Sequence, residues 1–269
     1  MAHYTLHING SLFSLEHPRV MAVINATPDS FAFSCSNIAE ADFLAAASQA
    51  MNQGADILDI GACSTRPGFV AVETNEEWRR LEIALSAIRG AFPNAILSVD
   101  TFRASIARRA VEKYGVNIIN DVSGGADAEM FTTIADLGVP YILTHSQPLK
   151  PERMVTEQVV DFFVRRADEL HRLGVSDVIL DPGFGFAKSL RQNYDLLAHL
   201  ADLRIVQLPI LIGISRKSMI YNILDVSPQA DAALHGTLVA QMATLAAGAN
   251  ILRVHDVAAA KKIVKLFEQ

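Results

Sequence analysis

Cysteine is scarce in this chain: Cys35 and Cys63 are the only two among 269 residues. Both fall in loops after predicted strands, so no disulfide framework is expected and two reduced, incidental or structural thiols are the simplest reading. A pair at one rim could still oxidise where those loops meet. No run of eighteen apolar residues occurs, which excludes a membrane-spanning helix. A charged-then-apolar leader is also missing, and a cytoplasmic protein is expected. The net charge is −6, the wrong sign for a nucleic-acid partner, which would ask for a basic patch. Charged residues make up 19% against 51% hydrophobic ones, a balance that argues against disorder and suits a large buried core. Linkers, low-complexity tracts and domain breaks are absent as well, so residues 1–269 read as one domain.

What the chain has in quantity is runs of Val, Ile, Leu and Ala that stop at a polar residue. They are VMAVIN ending at Asn25, ADILDIG at Asp59, AILSVDT at Asp100, NIINDVS at Asn120, YILTHS at His145, DVILDPG at Asp181, ILIGISR at Ser215 and ILRVHDV at His255. Successive gaps of 34, 41, 20, 25, 36, 34 and 40 positions leave room for one strand and one helix each. Strands are predicted near 20–25, 55–60, 95–100, 117–122, 141–145, 177–181, 210–215 and 251–255. β-branched residues on both faces suit a buried parallel sheet. Helical periodicity marks 39–53, 75–90, 102–114, 127–137, 154–173, 190–203, 231–247 and 257–268, with Asn75 and Ser189 as candidate caps. The opening HYTLHINGSLFSL alternates around Asn9-Gly10 and predicts a hairpin, spanning 1–18, that covers the amino-terminal end. Eight strand–helix units give an α/β fold, a (β/α)8 TIM barrel. A doubly wound open sheet is the alternative.

In such a barrel the chemistry sits at the carboxyl ends of the strands. That rim collects Asn25, Asp29, Asp59, Thr65, Arg66, Asp100, Asn120, Asp121, His145, Asp181, Lys217, Arg253, His255 and Asp256. Asp100, Asn120 and Asp181 suit a donor-rich heterocycle such as a pterin or purine. A carboxylate accepts two parallel N–H bonds from a 2-amino-pyrimidinone edge, and an Asn offers a donor and an acceptor. Arg66, Arg253 and His255 suit an anion such as phosphate, with Lys217 able to serve either side. Each has a plainer reading: an Asp at a strand end as a loop cap, His145 or His255 as a satisfied core histidine. The Gly183–Lys188 stretch GFGFAK lacks dinucleotide-binding spacing and reads as a tight strand-to-helix turn.

Taken in order, the motifs INATPDSF (24–31), DIGACSTRPG (59–68), SVDT (98–101), INDVSGG (119–125), DPGFGF (181–186), GISRKSMI (213–220) and RVHDV (253–257) resemble the dihydropteroate synthase family. The resemblance implies a (β/α)8 barrel that transfers a pterinylmethyl group. Its reaction joins 6-hydroxymethyl-7,8-dihydropterin diphosphate to p-aminobenzoate, giving 7,8-dihydropteroate and diphosphate in folate synthesis. It implies pterin binding by Asp100, Asn120, Asp181 and Lys217, and diphosphate binding by Asn25, Arg253 and His255, with Mg²⁺ beside Asn25. Thr65, Arg66, Pro67, Phe186 and Ser218 would receive p-aminobenzoate. Asp100, Lys217, Arg253 and His255 would carry the chemistry. A homodimer and sulfonamide sensitivity are implied too. Departures from the family pattern are DSFAFSCS in the first loop, Thr144-His145-Ser146-Gln147-Pro148 in the fifth and Ala62-Cys63 before STRPG. The alternatives are a pterin-binding methyltransferase module and an altered-specificity or non-catalytic paralogue.

Overall fold

A computed structural model describes residues 3–25, 40–62 and 72–269. Strands β1 (Thr5–Ile8) and β2 (Ser11–Ser14) form the expected antiparallel hairpin, with Ile8 opposite Ser11. Asn9 and Gly10 both take positive φ, 52° and 73°, the conformation a two-residue hairpin loop requires. Eight parallel strands follow: β3 (Arg19–Asn25), β4 (Ile57–Gly61), β5 (Leu97–Asp100), β6 (Ile118–Asp121), β7 (Tyr141–Thr144), β8 (Val178–Asp181), β9 (Leu211–Ile212) and β10 (Ile251–Val254). Strands β3 to β8 pair in chain order, β10 returns to pair with β3, and β9 pairs with β10. The ring closes at its shortest strand through a single parallel bridge, Leu180 to Ile210, where the Leu180 N–H donates to Pro209 O at 2.8 Å. That closure excludes the open-sheet alternative.

Helices α1 (Glu40–Asn52), α2 (Thr74–Ala91), α3 (Ala104–Tyr114), α4 (Met130–Leu137), α5 (Val155–Arg172), α6 (Leu190–Ala198), α7 (Ser218–Leu224), α8 (Asp231–Ala246) and α9 (Val257–Phe267) surround the barrel. Ser189 caps α6 through a reciprocal capping box with Gln192. Asn75 does not cap α2: that helix starts at Thr74, so Asn75 lies inside its first turn. The predicted helix 190–203 stops at Ala198 and continues as a 3₁₀ turn over Leu200–Val206. The unit after β9 holds the short α7 ahead of the predicted α8.

Apolar side chains divide into two bodies. One fills the space between strands and helices. The other fills the inside of the barrel: Met21, Ile57, Ile118, Ile142, Ile179, Leu211 and Ile251 form a floor, sealed from below by Leu6, Ile8 and Leu15 of the hairpin segment. Polar ties fix the seal, since Asn117 Nδ2 donates to Asn9 Oδ1 at 2.7 Å and the His7 N–H donates to Asp177 Oδ2 at 2.8 Å.

If the hairpin completes this inner core, Leu6→Ala lowers the unfolding free energy by about 2–5 kcal/mol, measured as a drop in denaturant midpoint. Leu12→Ala, at an exposed position of the same hairpin, changes it by less than about 0.5 kcal/mol. Equal effects at the two positions would detach the hairpin from the core.

Candidate active site

Side chains on a strand alternate between its two faces, so the apolar floor dictates what stands above it. Two residues beyond Ile57, Ile118, Ile142, Ile179, Leu211 and Ile251 come Asp59, Asn120, Thr144, Asp181, Gly213 and Arg253. On β5, Ser98 and Asp100 share the interior face with Ile96, which packs against the floor. Asn25 joins them: its Oδ1 lies 3.4 Å, and Asp100 Cβ 3.5 Å, from where a side chain at Gly61 would begin. A polar layer thus rests directly on an oily one.

Its hub is Arg253. The Nε–H donates to Asp59 Oδ2 at 2.6 Å and an Nη2–H donates to Asp100 Oδ2 at 2.8 Å. Asp59 also accepts from the Ser98 hydroxyl at 2.6 Å and from Asn120 Nδ2 at 3.0 Å, so both its oxygens are occupied. Asp100 Oδ1 and Asn120 Oδ1 are buried with no partner among the described residues. Burial pushes the Asp100 carboxyl up to about 7 against the pull of Arg253, with Asp59, Asp121 and Asp181 adding to the rise. Asp181 is likewise raised by burial, opposed mainly by Lys217; its Oδ1 accepts the Gly183 N–H at 2.8 Å.

Lys217 enters from the other side. Its Nζ donates to Phe184 O and lies 4.5 Å from the Phe186 ring centre. Burial lowers its ammonium to about 8, with Asp181 opposing. Gly185, at φ +80°, gives the Lys217 stem passage, since an added Cβ would sit 3.1 Å from Lys217 Cδ. The GFGFAK stretch is the tight turn expected of it. At Gly183 (φ +70°) an added Cβ would stand 2.1 Å from His145 O, so no larger residue fits. Lys188 knots the turn to the loop after β7: its Nζ donates to the carbonyls of His145, Gly183 and Phe186 at 2.9, 3.0 and 3.3 Å. Burial brings Lys188 down to about 7.

The structure sorts the remaining sequence candidates. His145 is the satisfied core histidine: it is buried, packs edge-on against Phe162 at 4.9 Å, and its pKa is lowered to about 3 by burial and then by Lys188. His255 is exposed at the rim, with Ser215 Oγ 3.2 Å from Nδ1. Asp121 points away from the mouth, accepting from the Tyr141 hydroxyl, the Ser123 N–H and hydroxyl, and the Gly125 N–H, so it organises a turn. Asp256 receives two bonds from Arg216, at 2.7 and 3.0 Å. This pairing, together with a bond from Arg216 to Pro228 O, holds Arg216 at φ 49° immediately before Lys217 and Ser218. Ser218 is the exposed first residue of α7. Asp29, Cys35, Cys63, Thr65, Arg66 and Pro67 lie outside the described residues.

Asp100, Asn120, Asp181, Lys217 and Arg253 are therefore brought together, with Asn25 and Asp100 both bordering Gly61 and Phe186 against Lys217. Sequence reading missed the anchoring role of Asp59 and gave no role to Ser98, Thr144 or Lys188. For Asp59 and Thr144 the signal was present in the two-residue alternation. Among the described residues no group of three or more His, Cys, Asp or Glu could hold a metal. A depression lined by Tyr4, Ala201, Arg204 and Gln207 draws on none of these groups.

A family model described as pterin binding enzyme matches residues 21–255. The dihydropteroate synthase of Escherichia coli K12 is 36% identical over 273 residues, spanning 98% of this chain and 95% of its own length. The Xanthomonas albilineans dihydropteroate synthase solved with 4-aminobenzoic acid is similar at 35% identity and a TM-score of 0.89, covering 99% of this chain and 98% of that one. The Yersinia pestis dihydropteroate synthase solved with a sulfonamide drug is similar at 33% identity and a TM-score of 0.90, covering 98% of each chain.

A raised carboxyl pKa binds a proton more tightly in the folded state than in the unfolded one, where the ordinary value is 3.8. Asp100 thus contributes stability at low pH that is lost as pH rises through about 7. Asp100→Asn removes this titration. The melting temperature of the original protein minus that of the variant is expected to fall between pH 4 and pH 8, by thermal denaturation; a constant difference would contradict the shift.

Proposed function

The chain belongs to the dihydropteroate synthase family, and on that premise we propose that it condenses 6-hydroxymethyl-7,8-dihydropterin diphosphate with p-aminobenzoate, releasing diphosphate and 7,8-dihydropteroate. The observation that carries the reading is the pairing, inside one barrel mouth, of unsatisfied acceptors with a shared guanidinium. Among the described residues Asp100 Oδ1 and Asn120 Oδ1 are acceptors without donors, and one N–H of the Asn120 amide is given to Asp59. Such a surface reads N–H groups, which the amino-pyrimidinone edge of a pterin supplies. Lys217 and Asp181 close the pterin site from the opposite strands.

Arg253 links that site to the leaving group. A guanidinium has five N–H donors, and among the described residues Asp59 and Asp100 take one each, so others can serve a diphosphate together with exposed His255. As the C–O bond breaks, negative charge collects on the diphosphate and positive charge on the pterin methylene. Arg253 and His255 offset the first and Asp100 the second. The weakly basic aromatic amine then needs placement more than deprotonation. Phe186, against Lys217, gives its ring a wall, and Ser218 gives its carboxylate a hydroxyl at the rim. Thr65, Arg66 and Pro67 join this subsite on the resemblance, which the 4-aminobenzoic acid bound to the Xanthomonas albilineans relative supports.

Mg²⁺ belongs to the same reading. One neutral oxygen, Asn25 Oδ1, stands beside Asp100 at Gly61. Mg²⁺ keeps several waters and takes few protein ligands when phosphates supply the rest, so this donor fits. Bound there, the ion would supply charge neutralisation for the diphosphate. A homodimer is also part of the proposal, supported by exposed Ile223, Leu224 and Val239 on α7 and α8. No helix among the described residues is long and apolar enough to cross a membrane, which agrees with the proposed cytoplasmic location.

The test is diphosphate release from the pterin substrate with and without p-aminobenzoate. Release dependent on p-aminobenzoate is expected; none under either condition, with pterin binding intact, rejects the synthase reading. Asp100→Asn and Lys217→Ala each lower kcat/KM by roughly 100-fold or more with an unchanged far-ultraviolet circular dichroism spectrum. Sulfonamides are expected to compete with p-aminobenzoate, and purely non-competitive inhibition would remove Phe186 and Ser218 from that subsite.

A further inference from the structure

A third buried oxygen at the mouth lacks a partner among the described residues: Thr144 Oγ1. Thr144 ends β7 in register with Asp181 of β8 and has no exposed surface. Ile142, two residues earlier, belongs to the inner floor, whereas Tyr141 and Leu143 pack outward against the helices. The alternation therefore sets the Thr144 side chain inside the barrel, on the same face as Asn120 and Asp181. Buried hydroxyls are seldom left unsatisfied. A hydroxyl that is, on the same interior face as two other unpartnered oxygens, marks a place completed by a ligand.

Its chemistry differs from that of its neighbours. Ionised Asp100 and Asp181 only accept, and one of the two Asn120 amide N–H groups is given to Asp59. The unpartnered oxygens of Asp100 and Asn120 recognise N–H groups. A pterin also presents acceptors, in its ring nitrogens and carbonyl oxygen, and a hydroxyl can donate to one of these without bringing a charge. We propose that Thr144 is a further pterin-binding, specificity-determining residue, its hydroxyl donating to an acceptor atom of the ring beside Asp181. The inference rests on the synthase reading above and extends it. A site built to hydrogen-bond a ring atom rejects heterocycles lacking that atom, because the protein group is then buried unpaired.

Thr144→Val replaces the hydroxyl with a methyl group and separates ligand binding from structure. In the free protein the change removes an unsatisfied polar atom, so the melting temperature holds or rises. Binding of 6-hydroxymethyl-7,8-dihydropterin diphosphate with Mg²⁺, by titration calorimetry, weakens roughly tenfold, and the KM for p-aminobenzoate stays within about twofold, since that substrate is placed elsewhere. Thr144→Ser keeps the hydroxyl and restores affinity to within about threefold. Equal affinity in the original protein and Thr144→Val overturns the inference alone. A lower melting temperature with unchanged affinity does the same, by making the hydroxyl structural. Absence of pterin binding by the original protein overturns the synthase reading, and this inference with it.

Discussion

Arg253 shares its guanidinium between two buried carboxylates, and the mouth is arranged around that sharing. Taking such charges out of water costs several kcal/mol per ion, recovered only where the remaining lone pairs are satisfied. The two partners fare unequally. Asp59 is saturated by Ser98, Asn120 and Arg253. Asp100 receives one bond at Oδ2 and none at Oδ1 among the described residues. Asp59 therefore fixes the guanidinium, and Asp100 carries the unmet demand. Burial, helped by the charges of Asp59, Asp121 and Asp181, lifts its carboxyl to about 7 although a full cation stands 2.8 Å away.

An arrangement of this kind survives only on a rigid support. Seven aliphatic side chains, one from each of seven strands, make the floor beneath it, and the hairpin residues Leu6, Ile8 and Leu15 keep water from its underside. With the interior closed from below, every polar group of the next layer faces either its neighbours or the mouth. Asn120 shows the consequence. Its amide nitrogen gives one N–H to Asp59, and its oxygen is left without a partner among the described residues. An Asn read from sequence as both donor and acceptor keeps, in place, its whole acceptor and one of its two N–H donors.

Much of this was legible beforehand. The eight strands lie within two residues of their predicted starts and within three of their predicted ends, because buried parallel strands read as unbroken aliphatic runs. Asp100, Asn120 and Asp181, which join across the mouth, were named. What escaped was orientation. Asn120 and Asp121 are adjacent, both polar and both at a strand end, yet one turns inward and the other outward to Tyr141 and the Ser123–Gly125 turn. Counting in twos from Ile118 separates them, but only once Ile118 is known to face the interior. His145 also ends an aliphatic run, and its burial against Phe162 and Lys188 depends on partners 17 and 43 residues away. Lys188 left little local trace, since two of its four contacts, both to His145, form only when the loops after β7 and β8 meet.

Strand order divides the mouth by charge. Asp59, Asp100, Asn120, Thr144 and Asp181 stand on β4 to β8, while Arg253 stands on β10, with Lys217 and His255 in the segments that follow β9 and β10. The ring is weakest between these halves, where β9 has two residues and one bridge holds it to β8. There the side chains supply what the backbone lacks. Gly213 leaves the interior open, so that Asp181 Oδ2 and Arg253 Cδ both come within 4.0 Å of the place its Cβ would take. Lys217 crosses from the β9 side onto Phe184 of the β8 loop, drawn by the Asp181 charge. A single Cβ at 213 would meet Asp181 Oδ2 and Arg253 Cδ at ordinary contact distance, so this position marks where the acceptor and cation halves, which the proposed reaction needs at a single carbon, face each other.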